Sequence, residues 1–103
     1  MYEDLNLWAW LTDHIPFGHA GAVSADYLSK LLGVDKRELR RVIEDARRDN
    51  ILICGDNHGY YQPVTDKEIL AYIHRVRGRI RTASQCLAPF LRKIKHAEGG
   101  EKP

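Results

Sequence analysis

Three observations predict a mainly α-helical chain with one small β-hairpin, an α+β fold. Four segments carry apolar residues at helical spacing, and three of them begin with a residue type that caps helices. Two short β-prone runs flank a cluster of turn-forming residues ahead of the last helical segment. With 103 residues, the chain has room for one modest core.

Two helices are predicted in the first third of the chain. Residues 3–14 form the first, because apolar residues recur there at helical spacing and Pro16 follows. The second begins after Ser24, a good N-cap, and ends at Gly33, a residue type that adopts a left-handed conformation at little cost. Its expected buried residues are Leu28, Leu31 and Leu32.

The third helix is expected to begin at Asp35, which has capping-box spacing to Glu38, and to end at residues 49–50. Its predicted apolar face consists of Leu39, Val42, Ile43 and Ala46. Ser29 is small where the second and third helices would approach, and Gly33 permits a tight turn between them. Together these are features of a helix-turn-helix.

A hairpin and a long helix complete the predicted fold. Residues 51–54 and 60–64 are the expected strands, and residues 55–59 form the turn. The fourth helix begins at Thr65, which has capping-box spacing to Glu68. Its apolar positions alternate in steps of four and three, which makes a heptad-like seam. They are Ile69, Ile73, Val76, Ile80, Ala83, Leu87, Phe90 and Ile94.

This order of elements is the layout of a winged helix-turn-helix domain with a long basic C-terminal helix. The predicted domains are a winged helix-turn-helix core at 1–64 and a helix for packing or dimerisation at 65–96. Residues 97–103 are expected to be a disordered tail.

The net charge of +2 hides an asymmetry. Residues 1–73 hold eight basic and twelve acidic side chains, a charge of −4, whereas residues 74–103 hold eight basic and two acidic ones, a charge of +6. The basic part is expected to contact a polyanion or an acidic neighbour.

In a helix-turn-helix, the second helix of the motif enters the major groove of double-stranded DNA with its N-terminal half, and in this chain that is the third helix. The outward-facing candidates for DNA contact are Lys36, Arg37, Arg40 and Arg41 on that half, and Glu44 just after it. Arginine can bond guanine with two hydrogen bonds, and both lysine and arginine hold phosphates.

An ordinary solvated helix is the alternative for the same segment. Arg40 and Glu44, and Arg41 and Asp45, are spaced as i,i+4 ion pairs, which exposed helices often carry. The hairpin tip has two interpretations as well: Asn57 and His58 contact DNA, or the tip is only a polar turn.

The last helix carries arginines on several faces, and Arg75 and Arg79 are further candidates for DNA contact. Arginines four apart repel in an isolated helix, so a compensating anion is expected.

The seam predicts a homodimer through Ile73, Val76, Ile80 and Leu87. Because no acid flanks it, an antiparallel pair or packing on the first helix is favoured over a parallel coiled coil. Alternatively, the seam completes the monomer core. Pro89 is expected to kink or interrupt this helix.

Residues 23–63 resemble the winged-helix domain of biotin-operon-repressor-type regulators, with a Gly-Val turn and a hairpin that ends in Gly-Tyr. The chain looks closer still to small winged-helix proteins of Gram-positive prophages. It shares with them an Ile-Pro start at 15–16, the run from Arg41 to Asp49, and the Gly-Tyr-Tyr-x-Pro segment at 59–63. The resemblance implies DNA binding in control of phage transcription or DNA replication. No biotin chemistry is expected to carry over, because no segment of these 103 residues resembles the repressor's ligand-binding domain.

No catalytic, cofactor or metal motif is evident, so an enzyme, a cofactor and a metal site are not expected. Cys54 and Cys86 are expected to be buried, reduced thiols, and Cys54 with His58 supplies too few ligands for zinc. No run is apolar enough to span a membrane and the N-terminus lacks a secretory signal, so a cytoplasmic protein is expected.

The sequence thus predicts a DNA-binding protein that acts as a homodimer on double-stranded DNA, and the resemblance implies that it is a phage or prophage regulator. The alternative is a protein-protein interaction module of a phage replication or regulatory complex that does not contact DNA. The acidic balance of residues 1–73 favours that alternative.

Overall fold

The computed structural model of the chain describes the backbone of residues 4–101 and the side chains of residues 7–95. The fold is mainly helical with one two-stranded antiparallel hairpin, which confirms the α+β prediction. In chain order the elements are α1 (Asp4–His14), a 3-10 turn (His19–Gly21), α2 (Ala25–Leu32), α3 (Lys36–Arg48), β1 (Cys54–Asp56), β2 (Gly59–Tyr61) and α4 (Asp66–Glu101). Two compact units meet in sequence between Tyr72 and Ile73.

The core of the first unit is formed by the inner faces of α1, α2 and α3, together with Ile15 directly after α1 and Ile53 ahead of β1. Its buried members are Trp8, Leu11, Ile15, Leu28, Leu39, Val42, Ile43, Ala46 and Ile53. All four apolar positions predicted for α3 are among them. On α2, Leu28 is buried and Leu32 partly buried, but Leu31 is exposed, so its prediction was wrong. Because Ser29 is also buried, the inner face of α2 is centred away from Leu31.

The predicted helix caps and the tight turn are confirmed. The Ser24 side chain accepts a backbone N–H in the first turn of α2, and Asp35 accepts the N–H of Glu38 at 2.8 Å. Gly33 has a left-handed backbone with φ 79°, and its N–H donates to the Ser29 carbonyl at 2.9 Å. These contacts fix where α2 stops and α3 starts.

The C-terminal end of α3 is also where the sequence predicted it. Asp49 follows the last helical residue, and Asn50 adopts a positive φ of 70°. The Asp49 carboxylate accepts a hydrogen bond from the Trp8 indole Nε1 at 2.6 Å, so α1 is fastened to this end of α3. Residue 3, the predicted first residue of α1, lies outside the described residues.

The hairpin differs from its predicted bounds. Gly55 and Asp56 belong to β1 rather than to the turn, and the strands pair Cys54 with Tyr61 and Asp56 with Gly59. The turn is therefore only residues 57–58. A two-residue turn brings the strands together directly, and glycine beside it permits the positive φ of 128° seen at Gly59.

The hairpin is joined to the segment between α1 and α2 by backbone hydrogen bonds. Val23 and Tyr60 exchange two of them, at 3.0 and 2.7 Å, and Gly18 donates to Gln62 at 2.8 Å. The buried Gln62 side chain also donates to the carbonyl of Ile15, at 2.6 Å. The edge of β2 that does not face β1 is thus hydrogen-bonded to the segment between α1 and α2.

Helix α4 begins at Asp66, and Thr65 accepts the N–H of Glu68 at 3.2 Å, so the predicted N-cap is confirmed. The helix is continuous through Pro89. Cys54 is buried as predicted, but Cys86 on α4 is exposed, so that prediction was wrong. The predicted disordered tail, residues 97–103, has no described side chains and its last two residues lie outside the described residues.

In the second unit, the predicted seam divides into a partly buried and an exposed part. Ile73 and Val76 are partly buried, whereas Ile80 and Leu87 are exposed by 62% and 51%. Phe90, further along the seam, is 71% exposed. The seam beyond Val76 is therefore not part of a core within the described chain, which disfavours the alternative that it completes one.

Candidate nucleic-acid interface

The exposed surface of α3 between its first residue and Glu44 carries all five residues predicted for DNA contact on this helix. Each of them is exposed to solvent, and the buried residues of α3 lie on its opposite side. They are Lys36, Arg37, Arg40, Arg41 and Glu44. The sequence forces this arrangement, because the apolar positions occupy one stripe of the helix and leave the basic ones on the other.

The ion pairs on α3 differ from the i,i+4 pairs that a solvated helix would carry. Within the described chain, neither Arg40 with Glu44 nor Arg41 with Asp45 forms an ion pair. Arg41 instead lies 3.8 Å from Glu38, and Arg48 lies 2.9 Å from Asp45. Asp45 thus pairs with Arg48 in the last turn, and Glu44 forms no ion pair with a described residue. Neither acid therefore pairs with a basic residue of the first half of α3.

Arg37 and Arg40 are the least engaged of the basic residues on α3. Among the described residues, neither forms an ion pair within 4.0 Å. Lys36 lies 3.9 Å from Asp26 of α2, whose carboxylate is held more closely by Lys30 at 3.0 Å. The hydrogen bond and charge of Lys30 lower the pKa of Asp26, which stays an anion near neutral pH. The guanidinium groups of Arg37 and Arg40 are therefore exposed to solvent on neighbouring positions of α3. No ion pair with a described acid occupies their hydrogen-bond donors.

The hairpin tip is organised around Asp56. One carboxylate oxygen accepts the backbone N–H of His58 at 2.8 Å, and the other lies 2.6 Å from Nε2 of His19. Partial burial opposes ionisation of Asp56, but these hydrogen bonds outweigh it and lower its pKa. The predicted contact residues Asn57 and His58 are both exposed at the tip.

Two residues that the sequence analysis did not assign to this region help to build it. His19 lies in the 3-10 turn, and its ring contacts the His58 ring in an edge-to-face arrangement, with centroids 5.0 Å apart. Glu68, at the start of α4, accepts the backbone N–H of His19 at 2.9 Å and that of Val64 at 2.8 Å. These backbone hydrogen bonds lower the pKa of Glu68, and the bond from Val64 has the larger effect. His19 is 37 residues from Asp56, and no spacing rule would pair them.

The remaining candidates are on α4 in the second unit. Arg75 and Arg79 are exposed. No described acid lies within ion-pair distance of Arg79, so the charge of Arg79 can interact with an anionic partner.

The buried hydroxyl and thiol of the hairpin are neutral core groups. Burial raises the pKa of Tyr61 to about 12 and raises the pKa of the Cys54 thiol. Cys54 is paired with Tyr61 across the strands and not with His58. This arrangement supplies no activated thiolate at neutral pH.

Comparisons of the chain with protein-family models, curated proteins and solved structures gave no match. The resemblance to prophage winged-helix proteins therefore stays a prediction. Within the part of the chain that the structure describes, no helix is both long and apolar enough to cross a membrane.

Proposed function

We propose that the chain is a winged helix-turn-helix protein that binds double-stranded DNA with the first half of α3. In a phage or prophage setting, such a protein would regulate transcription or DNA replication. The observation that carries the proposal is the pair of solvent-exposed guanidinium groups of Arg37 and Arg40, which no described acid neutralises. Buried residues on the other side of α3 hold the helix in place, so the donors project from a rigid support.

The tight turn at Gly33 supports this proposal. It places the N-terminus of α3 directly after α2, with Asp35 as the cap. A recognition helix meets the groove with its N-terminal residues, and those residues are basic here. In this proposal α3 enters the major groove, the turn at residues 57–58 is the tip of the wing, and Arg75 and Arg79 hold phosphates.

A salt series is the direct test of the proposal. Fluorescence anisotropy of a labelled 30-base-pair duplex is expected to report binding whose affinity falls steeply between about 50 and 200 mM salt, with a slope near −0.9 per phosphate contact. The same titration with an equally labelled neutral polymer controls for nonspecific adsorption. Absence of binding at 50 mM salt, or an affinity that does not change with salt, would contradict DNA binding.

The proposed protein is a homodimer through α4. The exposed apolar side chains of Ile80 and Leu87 are one heptad apart, and such a stripe is normally covered by another helix. A second copy of the chain is the occupant that suits a two-fold DNA site. Ile73 and Val76 would extend the contact toward the start of the second unit.

Replacing Ile80 and Leu87 together by aspartate is expected to convert the dimer to a monomer, because each change places a charge in an apolar contact. Analytical ultracentrifugation at about 50 µM protein measures the change in mass. The matched control is Thr82→Asp with Gln85→Asp, which adds the same charge at exposed positions off the seam. A wild-type monomer at this concentration, or an equal effect of the control pair, would contradict dimerisation through the seam.

A protein-protein interaction module remains the second candidate, and one observation favours it. Tyr27 and Leu31 are four residues apart on α2 and are exposed by 52% and 46%. Apolar side chains at this spacing form a patch that suits a protein surface better than a phosphate backbone. Under this alternative, substitutions of Tyr27 and Leu31 would abolish binding of the protein partner, and substitutions of Arg37 and Arg40 would not.

A further inference from the structure

The hairpin tip and the 3-10 turn bring two imidazoles and a carboxylate together outside the proposed α3 interface. His19, Asp56 and His58 each offer one potential ligand atom, and the three atoms lie within 4.8 Å of one another. Two nitrogen donors and one oxygen donor form a ligand set that suits zinc and other divalent transition metals. We propose that these three residues bind a divalent transition metal ion of the Zn²⁺ type, contrary to the expectation from sequence that the chain has no metal site.

For the two imidazole–carboxylate pairs, the separations lie within about 1 Å of those in a coordinated ion, and each imidazole faces a different oxygen of Asp56. Zinc lies about 2.1 Å from nitrogen and oxygen ligands, which places tetrahedral ligand atoms about 3.4 Å apart. In the structure, His19 Nε2 is 2.6 Å from one Asp56 oxygen, and His58 Nδ1 is 3.6 Å from the other. Entry of an ion requires the first separation to open by about 0.8 Å, which small side-chain rotations allow.

The surrounding contacts orient these ligands before an ion arrives. The backbone N–H of His58 donates to Asp56, which fixes the plane of the carboxylate, and Glu68 accepts the backbone N–H of His19. Val23 and Tyr60 join the segment that carries His19 to the hairpin through two backbone hydrogen bonds. Ligands that are held near one another in this way bind an ion more tightly, because less ordering is left for the binding step.

The site is open on one side. The side chain of His58 is 73% exposed and that of His19 is 42% exposed, whereas Asp56 is mostly covered. An ion can therefore reach the cluster from solvent and keep at least one water ligand. With three protein ligands from the 3-10 turn and the hairpin, the ion would cross-link residues 19 and 56–58.

Metal titration of the untagged chain tests this proposal without any DNA. Isothermal titration calorimetry with Zn²⁺ is expected to show one saturable site per chain, and Co²⁺ is expected to give the visible absorption of a nitrogen- and oxygen-ligated ion. Mg²⁺ and Ca²⁺, which prefer all-oxygen ligand sets, are expected to give no saturable binding. In the presence of Zn²⁺ the melting temperature rises with its concentration.

Single substitutions assign the site. His19→Ala, His58→Ala and Asp56→Asn are each expected to weaken Zn²⁺ binding by at least about tenfold. His74→Ala removes an exposed histidine elsewhere and is expected to change nothing. Because His58 is exposed in a turn, its replacement does not disturb the core, so this variant remains informative if another fails to fold. Wild-type protein without saturable Zn²⁺ binding below about 1 mM would overturn the proposal, as would undiminished binding by His58→Ala.

Discussion

Replacing Arg37 and Arg40 together by alanine is expected to weaken binding of double-stranded DNA about 100-fold at 50 mM salt. Each arginine that contacts a guanine or a phosphate contributes roughly 1–3 kcal/mol, and tenfold in affinity corresponds to about 1.4 kcal/mol. Both side chains are exposed and neither forms an ion pair with a described residue, so their removal leaves no acid unpaired on the protein. The free energy of unfolding should change by less than about 0.5 kcal/mol.

The matched control is Arg48→Ala on the same helix. Arg48 is exposed and bonded to Asp45 at 2.9 Å in the last turn, outside the half proposed to meet DNA. Its removal is expected to change affinity by less than about threefold. Arg37→Lys with Arg40→Lys separates charge from geometry: the salt slope should be kept, and discrimination between DNA sequences should be reduced. An equal loss from Arg48→Ala would indicate a diffuse charge effect, and no loss from the double alanine variant would contradict the proposed function.

The sequence predicted best where one local rule decides the structure. The caps at Ser24, Asp35 and Thr65 and the left-handed Gly33 depend on residues at most four apart, and all four are confirmed. The buried stripe of α3 was predicted completely because four apolar residues recur among charged ones.

Predictions failed where the neighbouring element decides. Leu31 satisfies the helical spacing of α2 as well as Leu32 does, and only the position of the packing partners determines that Leu31 is exposed. The hairpin turn was placed too wide because Gly55 and Asp56 are turn-forming residue types, yet both pair within β1 and β2.

The cluster of His19, Asp56 and His58 shows what sequence alone does not reveal. Asp56 and His58 are two residues apart, which is the only local hint, and His19 is brought to them by long-range backbone pairing. The exposed seam of α4 is the converse case. Its spacing is evident in the sequence, but the exposure of Ile80 and Leu87 becomes known only when the rest of the chain is in place.

Gly59→Ala is expected to be the most destabilising single-methyl addition among the described glycines, with a loss of about 3 kcal/mol in the free energy of unfolding. A Cβ at this position would lie 2.1 Å from the Val23 carbonyl oxygen, and Gly59 also has a φ of +128°. The clash between the new Cβ and the Val23 carbonyl is relieved only if the Val23–Tyr60 pairing opens. This opening removes two backbone hydrogen bonds worth roughly 1 kcal/mol each. Strain from the positive φ contributes roughly 1–2 kcal/mol more.

Gly33→Ala separates the two causes, because Gly33 has a φ of +79° but no atom within 4 Å of the added Cβ. It should cost only the backbone strain, about 1 kcal/mol. Urea unfolding followed by circular dichroism gives both values, and an unchanged slope with denaturant verifies that the same transition is measured. If Gly59→Ala lowers the free energy of unfolding no more than Gly33→Ala does, the hairpin is not in close contact with the segment before α2. In that case the contact that brings His19 to Asp56 would be loose, and the preorganisation argued for the metal site would be lost with it.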